Sequence, residues 1–189
     1  MEKARDATQA LTTAKNRSEQ IFLALALSQA GNTEQAQKLV SALDNEYPLD
    51  TTIQYFHLPT IRAALKLREN DPAGAVEFLR PTVKYDLVQA DSFQSLYPAY
   101  MRGIAYLQLG DGRSAAAEFQ KVLDHRGIVG RDVTGALSHL QLGRALKMTG
   151  DEAAARKSYE DFLNLWKHAD PDIPIYQQAK AEYAKLPKR

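Results

Sequence analysis

Between Arg102 and Asp124 the chain reads RGIAYLQLGDGRSAAAEFQKVLD, and Gly103 is the residue in it that needs explaining. It stands inside a run that otherwise reads as a helix, where glycine costs about 1 kcal/mol relative to alanine. A glycine kept at that cost marks a place where something passes close to the backbone. The stretch LGRALKMTGDEAAARKSYEDFLN, Leu142 to Asn164, repeats the arrangement 40 residues on. Gly103 returns as Gly143, Ala105 as Ala145, Gly110 as Gly150, Asp111 as Asp151, Ala115 as Ala155, Phe119 as Tyr159 and Leu123 as Leu163. Self-similarity at a fixed period is the mark of a repeat architecture.

Two earlier stretches carry the same skeleton more weakly. ALALSQAGNTEQAQKLVSAL sets Gly31 and Ala36 at the Gly110 and Ala115 places, and RAALKLRENDPAGAVEFL sets Asn70, Asp71 and Ala75 there. The turn position falls at 31, 70, 110 and 150, a spacing of 39 or 40. Asparagine substitutes for glycine at a helix end because it tolerates the left-handed conformation. Each unit reads as a helix ending at Gly or Asn, an Asp or Asn that starts the turn, and a second helix. Asp151 is placed to cap the last of these, with Glu152 in its first turn. Gly103 is expected to meet Ala115, and Gly143 to meet Ala155, where paired helices cross. Phe119 and Tyr159 then fill the gap one turn later.

Proline punctuates the units at Pro48, Pro98, Pro171 and Pro174. Pro59 falls inside the segment Asp50 to Arg68 and predicts a kink or a break, with the helix restarting at Leu58 or Pro59. HRGIVGRDV, His125 to Val133, reads as a loop, and Asp124 and His125 as a helix end whose imidazole complements the last carbonyls. No alternating β-branched run suggests a strand. The expected fold is all-α: four helix pairs in a right-handed α-α superhelix, one domain over 1–189. The units lie near 5–48, 49–88, 92–127 and 132–168. A capping helix at 174–186 is expected to cover the last core face with Ile175, Ala179, Tyr183 and Leu186.

Composition removes several functional classes. The 189 residues are 44% hydrophobic and 25% charged, an ordinary globular balance. A net charge of +1 argues against a dedicated nucleic-acid binder. With no cysteine there is no disulfide, no thiolate nucleophile and no cysteine-bound zinc. IFLALALSQAG, Ile21 to Gly31, loosely resembles a signal-peptide core, but acidic Glu2, Asp6 and Glu19 precede it, so a buried helix is expected. No run approaches the about 18 apolar residues of a membrane span, so a chain without membrane contact is expected; its localisation stays open.

Catalytic and metal constellations are not found. His57, His125, His139 and His168 are scattered, with no pair at the i, i+4 spacing of a metal-binding helix face. Gly127 to Gly130 and the GDG at Gly110 to Gly112 lack the Lys-Ser/Thr of a phosphate loop and read as turns. Ser114 has no nucleophile elbow. Glu160 and Asp161 are adjacent on a helix and diverge, so they do not form an acid/base pair. No cofactor is expected and no enzymatic activity.

The offsets of Gly103, Tyr106, Gly110, Ala115 and Phe119 resemble the tetratricopeptide repeat, as do those of Leu142, Gly143, Gly150, Ala155 and Tyr159. The chain departs from that pattern at Leu146, which replaces a tyrosine, and at Ala24 and Ala63, which replace the first glycine. Its period of about 40 exceeds the family's about 34. Longer phrases, among them YPLDTTIQYFHLPTIRAALKL, LYPAYMRGIAYLQLGDG, AAEFQKVLDHRGIVG and YEDFLNLWKHADPDIPIYQQAKAEYAKL, resemble the tetratricopeptide-repeat C-terminal region of bacterial serine/threonine protein kinases of acidobacterial type. Winged-helix regulators carry such tails too. The resemblance implies a piece lying beyond a kinase or DNA-binding module and any membrane anchor. The kinase motifs themselves are missing from these residues.

Recognition is the remaining chemistry. Stacked helix pairs expose a concave face lined by the first helix of each unit. In repeat register that face takes in Ser18, Ile21 and Leu25; His57, Thr60 and Ala64; Tyr97, Tyr100 and Ile104; and Leu137, Leu140, Arg144 and Lys147. Tyr97 and Tyr100 offer rigid area with a polar tip. Arg144 and Lys147, one turn apart, are spaced to take a carboxylate or acidic side chain; the alternative reading packs the tyrosines against the neighbouring unit and leaves the two cations solvated. Ile21, Leu25 and Thr60 stand where a chaperone-type carboxylate clamp carries Lys and Asn, so that specificity is not expected. The expected partner is a protein or peptide, with a homo-oligomerisation module and a small-ligand sensor as alternatives.

Overall fold

The computed structural model describes residues 16–88, 96–130 and 132–187. These are helices and turns, with no strand among them. The fold is an all-α helical repeat. The chain divides into two compact units, 1–85 and 86–189.

The repeat is a repeated turn. Gly31, Asn70, Gly110 and Gly150 all adopt left-handed backbone, with φ of 81°, 57°, 77° and 84°. The residue after each, Asn32, Asp71, Asp111 or Asp151, donates its N–H back to the carbonyl of Leu27, Lys66, Tyr106 or Leu146 at 2.9–3.0 Å. This six-to-one bond needs the left-handed residue before it. The side chain of the same Asn or Asp then accepts from the N–H of Gln35, Gly74, Ser114 or Ala154, three residues on. One residue therefore closes one helix and opens the next.

In the first unit, α1 (Arg17–Ala30) pairs with α2 (Thr33–Glu46) and α3 (Leu58–Arg68) with α4 (Pro72–Leu79). Leu27, Ala36 and Leu65 form a buried cluster there, flanked by Leu23 and Leu39. The expected kink at Pro59 is a π-helical segment, Ile53–His57, that runs straight into α3. The backbone stays right-handed through Thr52, His57 and Leu58, and Leu58 N–H reaches the Ile53 carbonyl. Pro59 lacks an N–H, and the wider turn absorbs the missing bond without a break. After α4 the chain tightens into a 3-10 segment, Arg80–Tyr85, at the start of which Pro81 again removes a donor.

In the second unit, α5 (Tyr97–Gln108) pairs with α6 (Gly112–Asp124), and α8 (Val133–Met148) with α9 (Glu152–Leu165). The expected loop at 125–133 contains a one-turn helix, α7 (Arg126–Val129), because the His125 carbonyl accepts from both Ile128 and Val129. His125 also donates from Nδ1 to the Lys121 carbonyl at 2.8 Å, closing α6. Then α10 (Pro174–Ala184) lays Ala179 and the following Leu186 against Leu140, Tyr159 and Phe162, with Ile175 and Tyr183 packed at the margin.

The atoms nearest the glycines that break the helical pattern are those of aromatic rings. A Cβ on Gly103 would lie 2.6 Å from two ring carbons of Phe119, and one on Gly143 would lie 2.8 Å from the Tyr159 ring. Ala115 and Ala155 are fully buried, and the Ala155 carbonyl lies 3.3 Å from where a Gly143 Cβ would stand. The first unit shows the reciprocal choice. Ala24 and Ala63 stand at the glycine positions, and Val40 and Leu79 at the aromatic ones. Volume removed from one helix is returned on its partner.

One buried charge cluster ties the second unit together. The Arg102 guanidinium, 3% exposed, donates to Asp86, also 3% exposed, and to both oxygens of Glu118 at 2.9 Å. Lys121 joins Asp86 at 3.1 Å and Glu118 at 3.2 Å. Two cations and two carboxylates compensate one another, which is the condition for burying them.

Candidate functional site

The face expected from the register falls on both units, and each part is described by itself. In the first unit His57 and Thr60 are buried, as are Ile21, Leu25 and Ala64. Thr60 donates its hydroxyl to the Phe56 carbonyl, and Phe56 sets its ring edge-on to the His57 imidazole at 5.1 Å. These residues are core. The π-helical segment turns His57 inward, which the spacing alone does not show.

In the second unit, which holds the rest of the face, α5 lies against α8. Tyr97 and Tyr100 stack at 6.2 Å, and Tyr100 sets its edge on Phe119 at 5.7 Å. Tyr100 is 9% exposed; burial pushes its hydroxyl up, against a hydrogen bond from Gln141. Leu140 is fully buried with Tyr159 and Phe162 and cannot line a groove. Tyr97 and Ile104 are half-buried against the core, and Lys147 is exposed.

Arg144 already holds a carboxylate, and it is the chain's own. It donates to both oxygens of Glu182 on α10, at 2.8 and 2.7 Å, and to Gln141 at 3.2 Å. The Tyr159 hydroxyl donates to Glu182 at 2.8 Å. Burial pushes the Glu182 carboxyl up, but the Arg144 and Tyr159 hydrogen bonds outweigh it and hold the group below the usual carboxylate range. Burial pushes the Tyr159 hydroxyl up, and the adjacent Glu182 pushes it further. Arg144 thus anchors the last helix, and what the face offers outward is Tyr97, Ile104 and Lys147. Glu182 and Gln141 were missed from the sequence. Glu182 lies 38 residues from Arg144, and no local spacing announces the pair.

No helix among the described residues is long and apolar enough to cross a membrane. Among the same residues no group of three His, Asp or Glu side chains is placed to hold a metal ion. No curated protein and no solved structure matches the chain. The family model for the tetratricopeptide repeat matches residues 20–40. Those residues hold most of α1, the Gly31 turn and the first half of α2. The match supports a tetratricopeptide-repeat region there.

Proposed function

We propose that the chain is a non-catalytic scaffold that binds a protein or peptide, and that it is the tail of a bacterial serine/threonine protein kinase. The single observation behind the scaffold reading is the turn repeated at 31, 70, 110 and 150 with the same bond and the same cap. Tetratricopeptide repeats mediate protein–protein interaction, and the family match lies on the first of these turns. The binding residues in this reading are those the second unit leaves accessible on α5 and α8: Tyr97, Ile104 and Lys147, with Tyr100 and Arg144 supporting them from beneath. The kinase part rests on the resemblance of the longer phrases.

Quantitative pull-down with the full chain tests the scaffold reading. Wild type is compared with Tyr97→Ala/Lys147→Glu, which keeps Arg144 and Glu182 themselves in place. Loss of partner recovery by about tenfold is expected for removal of an aromatic anchor and reversal of a rim charge. Equal recovery from both proteins refutes the face. Light scattering that shows concentration-dependent assembly by wild type alone reassigns the face to self-association. A reading frame continuous with these residues that encodes something other than a kinase catalytic domain removes the kinase part.

A further inference from the structure

The last helix, α10, lies on a seat formed by Leu140 of α8 and Tyr159 and Phe162 of α9. Ala179 and Leu186 are buried against it. Polar contacts fix the register. Glu182 accepts from Arg144 with both oxygens and from the Tyr159 hydroxyl. The Tyr183 hydroxyl donates to Glu160 at 2.8 Å, and the Arg156 guanidinium lies over the Tyr183 ring at 4.8 Å. Arg156 also donates to the Leu186 carbonyl at 3.0 Å. Ala179, Glu182, Tyr183 and Leu186 stand at i, i+3, i+4 and i+7, so one helical face and its continuation supply all of these groups.

The connection that leads to α10 is built differently. Trp166 still packs on Phe162, with ring centroids 5.0 Å apart, but residues 167–173 hold no helix. Single turns shape them: the Ala169 N–H donates to the Trp166 carbonyl, and the Ile173 N–H to the Asp170 carbonyl. Lys167, His168, Asp170, Pro171 and Asp172 are exposed. Drawn out, this stretch spans about 24 Å, enough to carry α10 off its own seat and onto a neighbour's. A seat left open would expose Leu140, Tyr159 and Phe162 and deprive Arg144 of its carboxylate. Release of α10 is therefore favourable only where an equivalent segment takes its place.

That segment must bring a carboxylate for Arg144 and Tyr159, a hydroxyl for Glu160, and a small and an aliphatic side chain one face apart. A second copy of this chain carries it by construction. We propose that two copies exchange α10, each seating the other's helix through the Arg144–Glu182 pair. Exchange of an identical element gives a closed two-fold dimer. Closed monomer and exchanged dimer make the same seat contacts, so concentration sets the balance. A short linker holds α10 near its own seat at an effective concentration on the order of 1 mM, and a second copy competes as the protein approaches that level. This assembly goes beyond the partner-binding reading and does not depend on it.

The test is a charge exchange in the full chain. Arg144→Glu and Glu182→Arg each set like charges together when the helix closes on its own seat. Mixed, the two variants restore both pairs, but only by exchanging helices. Sedimentation velocity at about 50 μM is expected to show each variant alone as a monomer and the mixture as a dimer, its midpoint at least about tenfold below that of wild type. The double variant, with both changes in one chain, closes on itself and is expected to match wild type. Circular dichroism melts establish that each variant is folded. Isotopically heavy and light wild-type chains, refolded together from urea at about 1 mM, are expected to give dimers of mixed mass by native mass spectrometry. Folded variants whose mixture stays monomeric overturn the inference, as does a single variant that dimerises as readily as the mixture. Should the single variants fail to fold, the absence of mixed-mass wild-type dimers overturns it by itself.

Discussion

Replacing Gly103 by alanine puts two effects of known sign against each other. The helix gains, because alanine is favoured over glycine by about 1 kcal/mol in a helix interior. The core loses, because the new methyl stands 2.6 Å from two carbons of the Phe119 ring and 3.0 Å from a third. Carbon contacts are comfortable near 3.5–4.0 Å, so the ring must retreat by about 1 Å. It has nowhere to go: Phe119 is fully buried, with Tyr100 edge-on at 5.7 Å. Overpacking by one methyl costs about 1–3 kcal/mol, and a contact this short with an immobile ring belongs at the upper end. The expected net loss is about 1–2 kcal/mol. Phe119→Leu alone opens a cavity and costs about 1–2 kcal/mol. Together the two changes install the alanine-with-aliphatic combination that Ala63 and Leu79 hold in the first unit, so the double variant should be less destabilised than the sum by at least about 1 kcal/mol. Urea denaturation followed by Trp166 fluorescence measures this, Trp166 being the only tryptophan and lying in the second unit. Strict additivity, or a Gly103→Ala protein more stable than wild type, refutes the packing explanation.

The turn glycines make the opposite case. A Cβ on Gly110 meets nothing within 4 Å, so only its φ of 77° opposes substitution, and Gly110→Ala should cost about 1 kcal/mol by denaturation, whereas Asn70→Gly should stay within about 0.5 kcal/mol of wild type. Arg102→Leu should cost about 3–5 kcal/mol in the same measurement, since among the described residues it leaves the buried Asp86 carboxylate with Lys121 alone to answer it; a loss under 1 kcal/mol would show the cluster to be dispensable. For Glu182 the folded pKa lies below its unfolded value of about 4.3, so its stabilisation is full above that pH and fades as pH falls through the folded pKa. Wild type should exceed Glu182→Gln by about 1–2 kcal/mol at pH 7, with the gap closing between pH 5 and the folded midpoint; a gap that does not depend on pH would refute the ion-pair account.

Much of the fold was legible because its signals are local. A left-handed residue followed by a capping Asn or Asp needs only a few neighbouring positions, so the turns at 31, 70, 110 and 150 stand in the sequence itself. Pro59 announced a disturbance, but not its form, since a π-helical segment and a break remove the same donor. The site was far less legible. The first helix of a pair touches several neighbours, as α8 touches α5, α6 and α9, so residues on nearly all its sides become core. Repeat register therefore placed Leu140, Thr60 and His57 on a face where the packing buries them.

The sequence by itself determined where helices stop and start and which positions must be small, because backbone conformation and side-chain volume act over one or two turns of chain. Only the tertiary structure decided what each small residue faces and which charges are spent internally. Gly103 stands against the Phe119 ring, and Arg144 meets Glu182 rather than a partner, because both pairings depend on how separate helices come to lie against each other.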